Sequence, residues 1–413
     1  MIQRPIELSV TQTANDNSIR RSVLLENISD QKHSTVTVFF DLIGQTSLPR
    51  IDLLDGFVYA VLLYAMRLGQ DIHVRGNISR DFIRNANEYQ NAWVCWKPRV
   101  YKKIKISADS IVEHVVNNGT AIAAFSGGVD SLFTALRHGT KSLGDASYPL
   151  EKALLLVHGF DVPLCAPEQL EALKDRTAPF RQELGLELRI IRTNLKELQL
   201  QDWADSFGAQ LAACLHNYSH EFAFGLIGSS EPYNALVTPW GSHPATDHLL
   251  SGGAFKVVHD GAGFSRTQKV EEIAKSSTAT KVAKVCWEGK ETHRNCGQCE
   301  KCIRTLLNFK AVGVDNPSCF DAPLQLEQIK GMNLNFNVQC DELRSIVTYA
   351  KSKNIQADWL DAVIARIHTF DHPPIYQRNN TLRKAIKALG MVRRGELGAI
   401  ANKLRRSFGA LKD

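Results

Sequence analysis

Residues 121 to 138 read AIAAFSGGVDSLFTALRH, and this junction constrains the chain more than any other stretch. The run up to Phe125 is short, continuous and apolar, the pattern of a buried strand. Leu132, Phe133, Ala135 and Leu136 then recur at helical spacing. Between them lie Ser126, Gly127, Gly128, Val129, Asp130 and Ser131. A glycine-rich strand-to-helix turn lets backbone approach a ligand closely. The new helix points its first N–H groups and positive dipole end at the same place, and that combination binds phosphate. A tight turn with no ligand is the plainer alternative for a lone Gly-Gly.

The familiar phosphate loop ends in Gly-Lys-Ser/Thr, its lysine reaching the β- and γ-phosphates. No lysine occurs here. A short, hydroxyl-rich nest suits a pyrophosphate that leaves as a unit. Asp130 has two readings, a cap for its own helix or a ligand for magnesium beside the phosphates.

Downstream, ALLLVHGF (153–160) reads as a second strand, EQLEALKDRTAPFRQELG (168–185) as a helix, LELRIIRTN (186–194) as a third strand and FAFGLIGSS (222–230) as a fourth. Such alternation predicts a doubly wound parallel α/β sheet. Ligands then sit at the carboxyl ends of its strands, among them Ser126 and the small residues Gly228, Ser229 and Ser230. The flanks carry less chemistry. STVTVFFDLIG (34–44) is strand-like and LLDGFVYAVLLYAMRLG (53–69) is an apolar helix, while the chain beyond about residue 320 reads as helices. The expected division is an α+β domain over 1–112, a nucleotide-binding domain with a cysteine cluster over 113–318, and a helical region over 319–413.

The second informative string is VCWEGKETHRNCGQCEKCIRT (285–305). Cys286, Cys296, Cys299 and Cys302 give two consecutive C-x-x-C steps and a distant fourth thiolate, a pattern suited to closed, tetrahedral, structural zinc. Gly297 allows the tight turn, and Lys290, Arg294 and Lys301 offset thiolate charge. His293 is a substitute ligand only if a cysteine is not used. An iron–sulfur cluster also takes four cysteines, and a redox dithiol needs fewer. The remaining five of the nine cysteines are scattered singly, which is no disulfide framework.

Ser126 to Ser131 resemble the pyrophosphate loop of the N-type ATP pyrophosphatases. With Cys, then Cys-Gly-x-Cys-x-x-Cys some 155 residues later, the chain resembles the 7-cyano-7-deazaguanine synthase family over roughly residues 115 to 310. The resemblance implies an adenine nucleotide alpha hydrolase-like fold and zinc on Cys286, Cys296, Cys299 and Cys302. It also implies ATP held with magnesium on the loop, with Ser131 as a catalytic residue. In FSRTQKVEEIAK (264–275), Lys269 matches a family lysine that stabilises charge as pyrophosphate leaves, and Arg266 assists. The implied reaction is adenylation of a small carboxylate, then attack by ammonia or another amine, with release of AMP and pyrophosphate. The family's substrate-side segment is replaced by EPYNALVTPWGSHPATDHLLSGG (231–253). Ser229, Ser230, His243 and Asp247 are therefore the candidate substrate residues, with His248 and Trp240 nearby; a second metal and plain polar loop residues are the alternatives. Relatives with extra domains in phage-defence gene clusters imply a rival, a ligase acting on a protein or peptide acceptor.

Charge adds a third enzyme reading. The net charge is +6, yet residues 378–413 alone hold ten Lys/Arg against two acids, so the rest of the chain is about neutral. A basic tail can contact nucleic acid, as in a tRNA-modifying enzyme, or form a solvated helical face, the reading preferred here for want of aromatic stacking residues. The N-terminus lacks a signal-peptide layout, and GFVYAVLLYAM (56–66) is too short to span a membrane. The expected location is cytoplasmic with no membrane contact. A protein partner and a homo-oligomer are left open, as is a non-catalytic nucleotide sensor.

Overall fold

The structure is a computed structural model that describes residues 3–49, 51–113, 119–286, 288–289 and 294–372. The basic tail, Lys290 and His293 lie outside the described residues. Two compact units are distinguished, 1–325 and 326–413.

The first unit is built on one ten-stranded sheet. Its strands are β1 (Ile6–Asn15), β2 (Ser18–Glu26), β3 (Val36–Ile43), β4 (Ile72–Ser79), β5 (Ile106–Val112), β6 (Ala121–Ala124), β7 (Ala153–His158), β8 (Glu187–Thr193), β9 (Phe224–Gly228) and β10 (Lys256–Asp260). They lie in the order β10-β9-β6-β7-β8-β3-β2-β1-β4-β5. Five strands, β10 to β8, form a parallel half. β8 then pairs antiparallel with β3, β3 with β2 and β2 with β1, before β4 and β5 resume parallel pairing.

The parallel half is the doubly wound sheet expected from the sequence, but the N-terminal strands continue it. The segment 1–112 shares one sheet and one apolar core with the segment that carries the serine–glycine loop. The join is edge-to-edge: Phe40 to Ile43 pair with Thr193 to Ile190, covering the strand edge that β8 would otherwise expose.

Burial explains the strand patterns. β6 and β7 are buried at every position, as a sheet covered on both faces requires. β2 alternates buried and half-buried residues, with one face on the core. Helices α1 (Asp55–Leu68), α2 (Arg80–Trp96) and α5 (Trp203–His216) cover one face, where Ile122, Leu155 and Ile191 point. Helix α1 is buried almost all round and packs against α5 and β4, which accounts for its unbroken apolar run. On the other face Ala121, Ala123 and Leu154 meet α3 (Val129–Gly139), α6 (Arg266–Ala274), α7 (Ser277–Val282) and α8 (Glu300–Ala311). Helix α4 (Pro167–Glu183) places Leu170 and Leu173 against Leu156 and Ile190, and Phe180 stacks on Phe125.

The chain runs from β6 outward through β7 and β8, then returns to the opposite side of β6 for β9 and β10. The sheet therefore has a topological switch point between β6 and β9, where ligand crevices open at the strands' carboxyl ends. No helix is long and apolar enough to cross a membrane among the described residues.

The second unit holds α9 (Leu326–Lys330), α10 (Asn337–Ser352) and α11 (Asp358–Asp371). Leu343, Ile346, Leu360 and Val363 are buried, and Arg344 pairs with Asp371 at 2.6 Å. Among the described residues after 320, helical character is present as expected.

Candidate nucleotide and metal sites

The six-residue string lies at the switch point. Gly127 has φ of +74°, a left-handed conformation that favours glycine. Gly128 is the N-cap of α3 and offers no capping side chain. Serine or aspartate there would satisfy one first-turn amide; glycine leaves the N–H groups of the first turn open toward a ligand. Within the loop, Ser126 N–H donates to Ser131 Oγ at 3.3 Å, and Ser131 Oγ donates to Gly128 O at 3.0 Å. The serine hydroxyls thus fix the turn as well as facing the cavity.

Asp130 does not cap its own helix. Its two oxygens are taken by two cations from α6: Arg266 Nη1 at 3.1 Å from Oδ2 and Lys269 Nζ at 3.1 Å from Oδ1. Burial alone would raise the Asp130 carboxyl; the charges of Arg266 and Lys269 outweigh it and hold the group below the usual carboxylate range. Lys269 also donates to Ser229 O, tying α6 to the end of β9. The loop and the predicted cations therefore converge, with Asp130 as their common partner.

Close packing at Gly228 holds this meeting point. A Cβ on Gly228 would lie 2.6 Å from Asp130 O. Gly228→Ala must push β9 away from the first turn of α3, and overpacking of this kind costs about 1–3 kcal/mol. The expected outcome is a lower denaturant midpoint together with weaker pyrophosphate binding. Unchanged midpoint and binding would show that this contact yields without consequence.

Two cavities open beside the loop. One, of about 400 Å³, is polar and cationic: Ser126, Gly128, Asp130 and Ser131 face Lys196, Arg266, Lys284 and Lys301, with Asp161 and Cys286 on the wall. The other, of about 490 Å³, is mainly apolar, walled by Leu155, Leu156, Val157, Phe160, Phe207 and Trp240. Ser126, Asp130, Ser131, Asp161, Trp203 and Lys284 belong to both, so the two cavities meet at the loop. Trp203 stands edge-on to Phe160 at 4.9 Å between ring centres, and Phe207 edge-on to Trp240 at 5.5 Å.

The candidate substrate residues separate. Ser230 lines the apolar cavity and its Oγ accepts from Trp240 Nε1 at 3.3 Å. Ser229 is buried, its Oγ donating to Glu231 O at 2.7 Å. Asp247 is fully buried and lines neither cavity. It accepts from Ser242 Oγ at 2.6 Å and His243 N–H at 2.9 Å, and lies 2.7 Å from His259 Nδ1. The carboxylate organises the 242–247 loop. His243 also lies outside both cavities, edge-on to Trp96, and burial lowers its pKa. His248 joins the short helical turn of residues 247–250.

The four cysteines come together. Their sulfurs all lie within 4.8 Å of one another, with Cys286–Cys299 at 3.9 Å and Cys296–Cys302 at 3.8 Å. A tetrahedron with metal–sulfur bonds of about 2.3 Å has edges of about 3.8 Å. The set can therefore hold a single metal ion such as zinc, and is too close-set to enclose several irons. Gly297, at φ +70°, makes the turn between the C-x-x-C steps. Backbone N–H groups of Gly289, Gln298 and Cys299 point at Cys286 or Cys296 sulfur at 3.3–3.4 Å, the outer-shell contacts that orient thiolate ligands. Cys299 is the N-cap of α8 and Cys302 lies in its first turn, where the helix dipole favours thiolate. Of the cations expected to offset thiolate charge, Arg294 pairs with exposed Asp321 at 2.9 Å and Lys301 faces the polar cavity. Burial, then the charge of Arg266, pull Lys301 down to about 8.

The cluster and the loop share a wall. Asn295 Oδ1 accepts from Val285 N–H at 2.8 Å and Cys286 N–H at 3.2 Å, while its Nδ2 donates to Ala283 O at 2.9 Å. Arg176 reaches Val282 O at 3.2 Å and Ala283 O at 3.0 Å from α4. Between these clamps, Lys284 N–H donates to Gly127 O at 2.7 Å. Sequence reading passed over Lys284, Asp161, Lys196 and Trp203. Lys284, two residues before the first cysteine, offered the only local hint.

Comparison with protein-family models, with curated proteins and with solved structures finds no match for this chain.

Proposed function

We propose that the chain is an ATP-dependent adenylating enzyme of the adenine nucleotide alpha hydrolase type, and that its four cysteines hold structural zinc. The observation that carries this reading is the open-amide serine–glycine loop at the switch point, facing a cationic cavity that adjoins an apolar one. A nucleoside triphosphate places its phosphates against the first-turn N–H groups of residues 129–131 and the cations Arg266, Lys284 and Lys301. Its base, and the body of an acid, occupy the apolar side.

The residues then act on a substrate carboxylate that attacks the α-phosphorus. The loop amides and nearby cations balance the charge gathering on the departing pyrophosphate. Displacement of AMP from the acyl-adenylate by ammonia or another amine completes carbon–nitrogen bond formation. Magnesium, when carried in by the nucleotide, supplies charge neutralisation at the phosphates. Asp161 is the carboxylate of the polar cavity that has no ion-pair partner among the described residues, whereas Asp130 is held by its two cations.

The test is incubation with magnesium-ATP, ammonium and 7-carboxy-7-deazaguanine, with nucleotide and base followed by mass spectrometry. AMP with an amide or nitrile product supports the reading. ATP that neither binds nor yields AMP with this or any other acid overturns it. Ser131→Ala is expected to lower AMP formation about 100-fold or more, the scale of losing one placed transition-state donor, while circular dichroism stays unchanged. Full activity in that variant removes the loop hydroxyl from the chemistry.

A further inference from the structure

Lys284 is more than nine-tenths buried, and its ammonium makes no hydrogen bond or ion pair among the described residues. A buried charge without a partner is costly, so its position asks for a missing anion. Asp161, on the same cavity wall, stands beyond ion-pair distance. The side chain lines the polar and the apolar cavity alike, at the seam where they meet. Its backbone is not free to move away: the N–H is bonded to Gly127 O, and Arg176 and Asn295 clamp the carbonyl of Ala283 just before it. The lysine is thus pre-positioned beside Ser126 and Ser131.

We propose that Lys284 is a catalytic residue that binds an oxyanion carried on an apolar or aromatic body, at the seam between the two cavities. Two groups have that chemistry, the α-phosphate of the nucleotide and the carboxylate of the acid that attacks it. The inference rests on the adenylation reading, since both anions belong to that reaction. At either one, the cation lies next to the forming oxygen–phosphorus bond and stabilises the charge spread over it.

The experiment compares wild type with Lys284→Met, which keeps the length and removes the charge, by calorimetric titration. The probes are adenosine, AMP, the α,β-methylene analogue of ATP, pyrophosphate, and 2-naphthoate with the analogue present. Adenosine affinity should change less than twofold, and pyrophosphate affinity should fall less than that of the analogue. A tenfold or greater loss for AMP and the analogue assigns the α-phosphate. An equal loss for 2-naphthoate, with none for its neutral carboxamide, assigns the carboxylate. Either result supports the proposal. Wild-type binding of the analogue with no loss for any anion in Lys284→Met overturns it and leaves adenylation standing. No binding of the analogue by wild type overturns both. Metal content and circular dichroism check the fold. Should Lys284→Met not fold, Lys284→Gln takes its place, and Lys284→Arg should recover at least part of the affinity.

Discussion

The wild type is expected to purify with one metal ion per molecule on its four cysteines, and Cys299→Ser with less than a tenth of that. The substitution is also expected to weaken binding of the α,β-methylene ATP analogue tenfold or more. The first loss follows from chemistry: a serine hydroxyl does not replace a thiolate on a soft tetrahedral ion, and structural zinc contributes about 10–16 kcal/mol of apparent binding energy in small zinc peptides. The second follows from this fold. Cys286 lies on the wall of the cationic cavity, Lys284 precedes it by two residues, and Lys301 stands between Cys299 and Cys302. A tetrahedron that ties residue 286 to the start of α8 therefore sets the spacing of two cations that face the loop. Metal analysis, denaturant titration and calorimetry on the same sample separate the two effects. A folded, metal-free variant that binds the analogue normally would show that the cluster stabilises the chain without shaping the cavity. Chelation of the wild type should produce the same pair of losses, and restoring zinc should reverse them.

Local strings were the legible part. The strand–loop–helix at 121–138 and the cysteine spacing each encode a site within a short window, because backbone geometry and tetrahedral ligation are short-range demands. Lys269 and Arg266 were also readable, since helix α6 carries both on the side that meets Asp130. Pairing between distant edges was not. Nothing in VTVFFDLI announces that β3 will join β8, so the N-terminal strands read as a separate domain. The five-residue β10 was missed, being too short for a periodic pattern. His243 and Asp247 looked like substrate residues because they are polar and close together. In the fold the carboxylate is spent on Ser242, His259 and a backbone amide, as burial of a charge demands. Lys284 looked unremarkable because its meaning depends on three segments, around residues 127, 176 and 295, that only folding brings together.

Asp130→Asn is the second large effect, and it acts through what it leaves behind. Arg266 is 9% exposed and Lys269 1% exposed, and the carboxylate lies between them. The asparagine amide keeps the shape but removes the negative charge, so two buried cations face each other without it. Removing one partner of a buried ion pair costs about 3–5 kcal/mol, which urea unfolding would read as a large fall in midpoint with little change in slope. The pH dependence has a definite sign. The Asp130 carboxyl is held below its ordinary value of about 3.9. Its contribution is complete above that ordinary value and is lost as pH falls through the lower folded value. The wild type should therefore lose stability down the acid limb partly through this group. The variant should begin lower at neutral pH and fall less steeply below about pH 4. Anions should restore part of the lost midpoint, because the vacated position lies at the mouth of the serine–glycine loop between two cations: pyrophosphate should stabilise the variant more than it stabilises the wild type. Parallel acid limbs for the two proteins would instead mean that the triad of Asp130, Arg266 and Lys269 contributes no pH-dependent stability, and that α6 is held to α3 by Val270 and Ile273 in the apolar core alone.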